Sequence, residues 1–238
     1  MNRRRFFTVI LIALLLSACG LRIIRGSGDR VTESRRVSDF DRVSLTGSGE
    51  LVITQSGEES LTVEADENIM QYVRTEVRGG TLELGFVRGV SVSTRRPIRF
   101  DLSVRDLDDL NISGSGTIDS DSIDTSRLKI GISGSGDVRI DSLTARTVDV
   151  RIGGSGGVRL AGEADEQEVV IAGSGGFRGG DLRGEIVQVK ITGSGNATVW
   201  ATESLDVRIT GSGSVNYYGN PRTSFSGAGS GRIKSLDD

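Results

Sequence analysis

The triplet Gly-Ser-Gly recurs at 47–49, 114–116, 134–136, 154–156, 173–175, 193–195, 211–213 and 229–231, and from residue 114 its spacings are 20, 20, 19, 20, 18 and 18 residues. A short, nearly constant period is the signature of a stacked architecture in which each repeat is one structural unit. The aliphatic residues keep a fixed phase to it. Four and two residues before the first glycine stand Ile130 and Ile132, Val150 and Ile152, Val169 and Ile171, Val189 and Ile191, and Val207 and Ile209. Four residues after it stand Ile118, Val138, Val158, Phe177, Ala197, Val215 and Ile233. Alternation with period two on both sides of a glycine pair means two short strands per coil, each with one face inward.

These features predict an all-β chain, a parallel β-helix or solenoid with coils of 18–20 residues. A coil of that length is too short for a strand-helix unit and suits a small two- or three-sided β-helix, and a propeller blade needs about 40 residues. Right-handed crossovers are the strong default for parallel strands, so a right-handed coil is expected. The glycines share the parity of the inward positions. Either the chain turns a corner there with φ > 0, or its backbone lies too close to the neighbouring coil for a Cβ. The serines between them are expected to stack, with hydroxyls bonding coil to coil. A phosphate-binding reading fails for want of the Lys-[Ser/Thr] and the following helix of a P-loop.

Residues 114–238 are therefore the regular part of one domain over 37–238, and 37–113 the less regular part. The 65 residues between the triplets at 49 and 114 leave room for about three unmarked coils. Strand-like pieces fall at Leu51–Thr54, Ser60–Glu64, Val73–Val77, Thr81–Phe86 and Ile98–Val104, with a helical turn over Asp66–Gln71 and a hairpin at Gly79-Gly80.

The N-terminus reads differently. Arg3, Arg4 and Arg5 precede an apolar run, Phe6 to Leu16, which is shorter than the roughly 20 residues that span a bilayer. It reads as a signal-peptide core over residues 1–18. The run ends in Leu16-Ser17-Ala18-Cys19, which resembles the lipobox of bacterial lipoproteins. That resemblance implies cleavage before Cys19, its diacylation, and acylation of the new amino terminus, a stable membrane anchor. Gly20 in place of an Asp after the cysteine favours the outer membrane over the inner one. Arg3-Arg4-Arg5-Phe6-Phe7 also fits a twin-arginine signal, so the export route stays open. Residues 19–36 are expected to be a flexible tether that lifts the domain off the membrane.

The layout as a whole resembles the auto-transporter adhesin head GIN domain family, a domain of unknown function numbered 2807. The resemblance covers roughly residues 37–225. It rests on Phe40-Asp41-Arg42-Val43-Ser44-Leu45 before Gly47-Ser48-Gly49, on Glu64-Ala65-Asp66-Glu67-Asn68-Ile69, on Thr81-Leu82-Glu83-Leu84, and on the serial Ile-Ser-Gly-Ser-Gly pieces. It implies an envelope lipoprotein with a β-helical fold, and it brings no catalytic residues with it.

Composition narrows the chemistry. The chain has no histidine and one cysteine, Cys19, which removes Ser-His-Asp and Cys-His catalysis, disulfides and thiolate metal sites. With 29 basic and 32 acidic residues, net charge −3, neither nucleic acid nor an acidic membrane surface is an expected partner. Three outward features remain. Arg139, Arg159 and Arg178 fall five residues after successive triplets, and read as solvated arginines fanning apart before they read as a strip for anionic glycans. Trp200 and Tyr218 share one position on adjacent coils, and are expected to cap the C-terminal end with Tyr217 and Phe225 rather than form a sugar platform. Asp119, Asp121 and Asp124 have the ligand type for calcium but not the Gly and Glu of an EF-hand loop, and read as an Asp-rich turn. No cofactor is expected. The preferred reading is a non-enzymatic envelope lipoprotein that binds a glycan or an envelope protein; a structural or assembly lipoprotein is the alternative, and a polysaccharide-active enzyme ranks below both.

Overall fold

The structure is a computed structural model describing residues 22–237. About three quarters of the chain is strand, wound into a β-solenoid of about six turns, a parallel β-helix. Five long strands carry the regular part, Thr117–Gly134, Asp137–Gly154, Gly157–Gly173, Gly176–Gly193 and Asn196–Gly211. Each pairs in parallel with the next, so that equivalent residues of successive coils meet: Val138 with Val158, Ile152 with Ile171, Gly154 with Gly173. Strands Ser214–Tyr218, Arg222–Gly229 and Arg232–Ser235 continue the stack.

Each coil has three faces, the three-sided form of the two that its length left open, although the alternation marked only two strands. In the coil over 137–154 the buried residues are Val138 and Ile140, then Leu143 and Ala145, then Val148, Val150 and Ile152. Within each group the step is two; between groups it is three. Each odd step turns the chain through a corner while keeping apolar side chains inside. The first two corners, at Asp141-Ser142 and Arg146-Thr147, use ordinary residues. The third is the Gly-Ser-Gly corner, where the first glycine has φ between +96° and +133° in all eight triplets.

Both explanations for the glycines hold, one for each position. At Gly114 an added Cβ would lie 2.6 Å from the Gly47 carbonyl oxygen of the coil before, in a backbone conformation that disfavours side chains in any case. The second glycine of each triplet has ordinary φ but sits over the preceding coil: a Cβ on Gly136 would meet Ile112 Cγ2 at 2.6 Å and the Gly116 oxygen at 2.7 Å. The serine between them joins the coils through its backbone, not through the expected hydroxyl ladder. The N–H groups of Ser135, Ser155, Ser174, Ser194 and Ser212 donate to the first-glycine carbonyl of the preceding coil at about 2.9 Å.

The N-terminal half departs from the expected run of unmarked coils. The first coil, Arg42–Gly47 and Gly49–Gln55, receives Asp109–Gly114 and the start of Thr117–Gly134 on one side. On its other side lie Thr81–Phe86 and Ile98–Val104, also parallel. The chain between thus leaves the first coil, covers its free edge and returns. Antiparallel strands finish that end: Val73–Arg78 on Thr81–Phe86, Ser60–Asp66 on Ile98–Val104, and Arg30–Arg35 on Ser60–Asp66. Between Val73–Arg78 and Thr81–Phe86, Gly79 and Gly80, at φ +55° and +77°, reverse the chain as a two-residue hairpin. The helical turn is present at Glu67–Met70 and buries Ile69 and Met70.

The tether expected over 19–36 is mostly folded. Arg22–Arg25 pairs in parallel with Val90–Ser93, and Arg30–Arg35 joins the main sheet. The anchors come from the Glu64–Ile69 segment. Arg30 Nε donates to Glu64 at 3.0 Å and holds that carboxyl below its ordinary pKa. Gly28 N–H donates to Asp66, Ser27 N–H to Asn68 Oδ1, and Asn68 Nδ2 to the Arg25 carbonyl. These contacts span about 40 residues of sequence and leave no local pattern.

A glycine of the corner and a glycine just before one should differ sharply in their need for glycine. Gly134→Ala places a Cβ against the Gly114 carbonyl at φ +128° and is expected to destabilise by about 3 kcal/mol or more. Gly153→Ala meets nothing nearer than 3.6 Å and should be neutral or slightly stabilising. Unfolding midpoints in urea, followed by circular dichroism, check the pair.

Candidate functional site

The first face of each coil, just after the triplet, carries the outward arginines. Pairing puts Asp119, Arg139, Arg159, Arg178, Thr198 and Asn216 in one column. At roughly 4.8 Å per strand, three arginines repel unless something intervenes. Acids do intervene, unevenly. Arg139 is gripped by Asp141, Nε to Oδ1 at 2.7 Å and NH2 to Oδ2 at 3.0 Å, which lowers the Asp141 pKa and raises that of Arg139. Arg159 has Asp181 at 3.6 Å. Arg178 has no ion-pair partner among the described residues.

The column beside this one runs Thr117, Asp137, Gly157, Gly176, Asn196 and Ser214. Its two glycines lack the reasons that govern the triplets. Neither has positive φ. A Cβ on Gly176 would meet nothing nearer than the Asn196 oxygen at 3.9 Å, and one on Gly157 would meet only the end of the Asp137 side chain. Their effect is on the surface. With no side chains between the arginine column and Ser155 and Ser174, the face opens into a groove of about 670 Å³, with Arg139, Arg159 and Arg178 along one wall.

A second hollow, about 630 Å³, continues the first and shares Arg159, Arg178 and Thr198 with it. Its far side is Trp200 and Tyr218, paired across adjacent strands and each 37% exposed. A register break makes this hollow. Around Gly179–Arg183 the strand carries extra residues relative to both neighbours. The bulge turns Asp181 outward beside Arg159 and leaves Gly180 under the Tyr218 ring, where a Cβ would sit 3.0 Å from the ring edge. The structure therefore joins two features that were separate in the sequence, the arginine column and the aromatic pair. It also divides the expected cap. Phe225 and Tyr217 stand in the inward columns of Val207 and Val199 at the end of the stack, whereas Trp200 and Tyr218 stand on its outer wall.

The remaining sequence candidates are not brought together. Asp119 faces outward on the first face, Asp121 is on the corner, and Asp124 lies on the next face. Among the described residues no group of three His, Cys, Asp or Glu side chains is arranged to hold a metal ion. The outward Asp/Arg columns of the third face form exposed pairs, Arg151–Glu168 at 3.4 Å and Arg208–Asp206 at 2.9 Å, each worth little. Cys19 lies outside the described residues. No helix among them is long and apolar enough to cross a membrane.

With this geometry in place, the comparisons decide the family. Residues 39–221 match the model of the family described as "Putative auto-transporter adhesin, head GIN domain". The chain belongs to this family. Among solved structures, the GIN-domain fold recurs in a protein described as a putative adhesin from Bacteroides fragilis, at 29% identity and TM-score 0.84, covering 90% of this chain and all of that one. It recurs in one described as a putative lipid binding protein from Parabacteroides distasonis, at 28% identity and TM-score 0.77, covering 91% and all. A putative adhesin from Parabacteroides merdae, at 22% identity and TM-score 0.73 over 91% and all, shares the fold. No curated protein matches the chain. The family and these neighbours fit a surface binding module, and the adhesin-like family points to a surface or envelope location.

The acid end of the groove has a pH signature. Burial, with Glu50 adding to it, raises the pKa of Asp119, so its charged form is disfavoured in the fold. Such a group favours folding below its unfolded pKa, near 3.9, and loses that contribution as pH rises through the higher folded value. Asp119→Asn is expected to raise the unfolding midpoint at pH 7 and to converge with the parent near pH 3; unfolding curves at the two pH values check it.

Proposed function

We propose that this GIN-domain protein is a lipoprotein of the bacterial envelope, anchored through Cys19 in the outer membrane, that displays its β-helix as a non-catalytic binding module for anionic glycans. One observation carries the reading: the glycine-floored groove runs from an arginine column to an exposed aromatic pair on one face. A guanidinium presents paired N–H groups to a carboxylate or sulfate, and an exposed indole or phenol ring offers an apolar platform to a sugar ring. A chain of uronic or sulfated sugars supplies both groups in alternation. Arg178, unpaired, and Arg159, held only at 3.6 Å, are the residues best placed to receive charge. Trp200 and Tyr218 supply the platform.

The groove is suited to holding rather than to turnover. Glycoside hydrolysis needs two carboxyl groups facing each other across a bond. Here Asp181 accompanies Arg159 and Asp237 accepts the Gly219 N–H. Asp119 and Asp137 stand at the end of the groove remote from the aromatic pair. One neighbour of this fold is described as a putative lipid binding protein, which supports a binding role, and the arginine column favours an acidic ligand here.

Binding to immobilised oligogalacturonate and heparin-type fragments tests the site. Arg159→Glu with Arg178→Glu is expected to weaken binding at least about thirty-fold, roughly 2 kcal/mol, and to flatten its salt dependence. Gly176→Leu, which fills the floor without touching a charge, should weaken it as well while the unfolding midpoint stays within about 0.5 kcal/mol of the parent. Unchanged affinity in both variants would remove the groove from the function.

The anchor is tested separately. The full chain, made in a Gram-negative host fed an alkyne fatty acid, is expected to incorporate the label and fractionate with outer membranes. Cys19→Ala should carry none and, unlike the parent, be released from the membrane fraction by a high-salt wash.

A further inference from the structure

The anchored reading places the folded body closer to the membrane than a tether would. If Cys19 carries the lipid, only Gly20 and Leu21 separate it from the first strand, Arg22–Arg25, and three residues extend at most about 11 Å. What stands at that point of the surface therefore meets the headgroups. Arg22–Arg25 and Val90–Ser93 form a two-stranded parallel sheet of their own. Ile24 and Val92 pack inward against the core. Ile23 turns outward and is 68% exposed, the most exposed large apolar residue described, and Val87 nearby is 37% exposed.

Exposed basic residues flank these two along the chain. Arg25 lies on the first strand, Arg88 just before the second, and Arg95 and Arg96 just after it, all four exposed. None of them is in an ion pair among the described residues, whereas neighbouring Arg30 is occupied by Glu64 and Asp66. Asp29 and Glu67, exposed beside the Gly26–Gly28 turn, are the nearest free acids. Exposed apolar side chains flanked by unpaired guanidinium groups match a bilayer interface bearing anionic headgroups.

We propose that this face, Ile23, Arg25, Val87, Arg88, Arg95 and Arg96, is a membrane-contact surface that seats the protein on anionic phospholipid. This rests on lipidation of Cys19 for its proximity to the membrane. The lipid holds the chain; the face orients it. Its consequence is geometric. Along the outward column, Val52, Asp119, Arg139, Arg159 and Arg178 are successive partners, four strand spacings or about 19 Å. The coils themselves raise the groove above the seated end, the task that the sequence reading gave to a tether.

The test uses the mature chain with Cys19→Ser, which contains the whole described body, so that lipid and face are read apart. It is expected to co-sediment with vesicles of phosphatidylglycerol and phosphatidylcholine, to bind phosphatidylcholine alone at least tenfold less, and to release as salt is raised. Arg25→Glu with Arg95→Glu and Arg96→Glu should cut binding at least tenfold, and Ile23→Asp several-fold. Arg159→Glu with Arg178→Glu should leave it unchanged. No preference for anionic vesicles, or loss of binding in the groove variant but not in the N-terminal ones, overturns the contact surface. Absence of fatty-acid label on Cys19 of the full chain overturns instead the anchor on which it rests.

Discussion

Everything in this molecule depends on how closely one backbone approaches the next at the Gly-Ser-Gly corner. The first glycine takes a φ closed to other residues, and its carbonyl accepts the next coil's serine N–H at about 2.9 Å. The second glycine lies directly over the coil below. These contacts fix the rise from coil to coil and the register of every column. The buried aliphatic columns follow, and so do the outward ones, because side chains on a strand alternate. A repeat protein inherits its surface from its corner.

The candidate site uses that inheritance and breaks it twice. Stacking alone yields an arginine column that repels itself. Gly157 and Gly176 clear the floor beside it, and the bulge at Gly179–Arg183 swings in Asp181 and makes room for the Tyr218 ring. Neither device contributes to the stack: the two glycines have space for a side chain, and the bulge interrupts pairing. Local departures that cost regularity without aiding packing are what a binding face in a solenoid should show.

The regular coils were legible because their cause is local and repeated. Inward aliphatics two apart on each side of a glycine corner gave the strand faces, and Gly79-Gly80 gave the hairpin. The choice between two and three faces was not legible, since the corners at Asp141-Ser142 and Arg146-Thr147 use residues with no special backbone requirement. Nor was the folding of residues 22–35, which is fixed by partners some 40 residues away, Arg30 with Glu64 and Asn68 with Arg25. The groove was half legible. Arg139, Arg159, Arg178, Trp200 and Tyr218 all stand out in the sequence, but the floor is made by side chains that are missing. The one available signal was a third glycine directly after two of the triplets, at 157 and 176, where other coils have Glu, Thr, Asp, Asn, Ser or Arg.

The central functional claim is that the glycine floor, the unpaired arginine and the aromatic pair form one continuous site. A crystal structure of the protein with a tetrameric oligogalacturonate tests it most directly. The expected result is a chain lying over Gly157 and Gly176, with carboxylates on Arg159 and Arg178 and one sugar ring against Trp200 or Tyr218. A saccharide bound on another face, or an empty groove in crystals where no neighbouring molecule blocks it, would contradict the account.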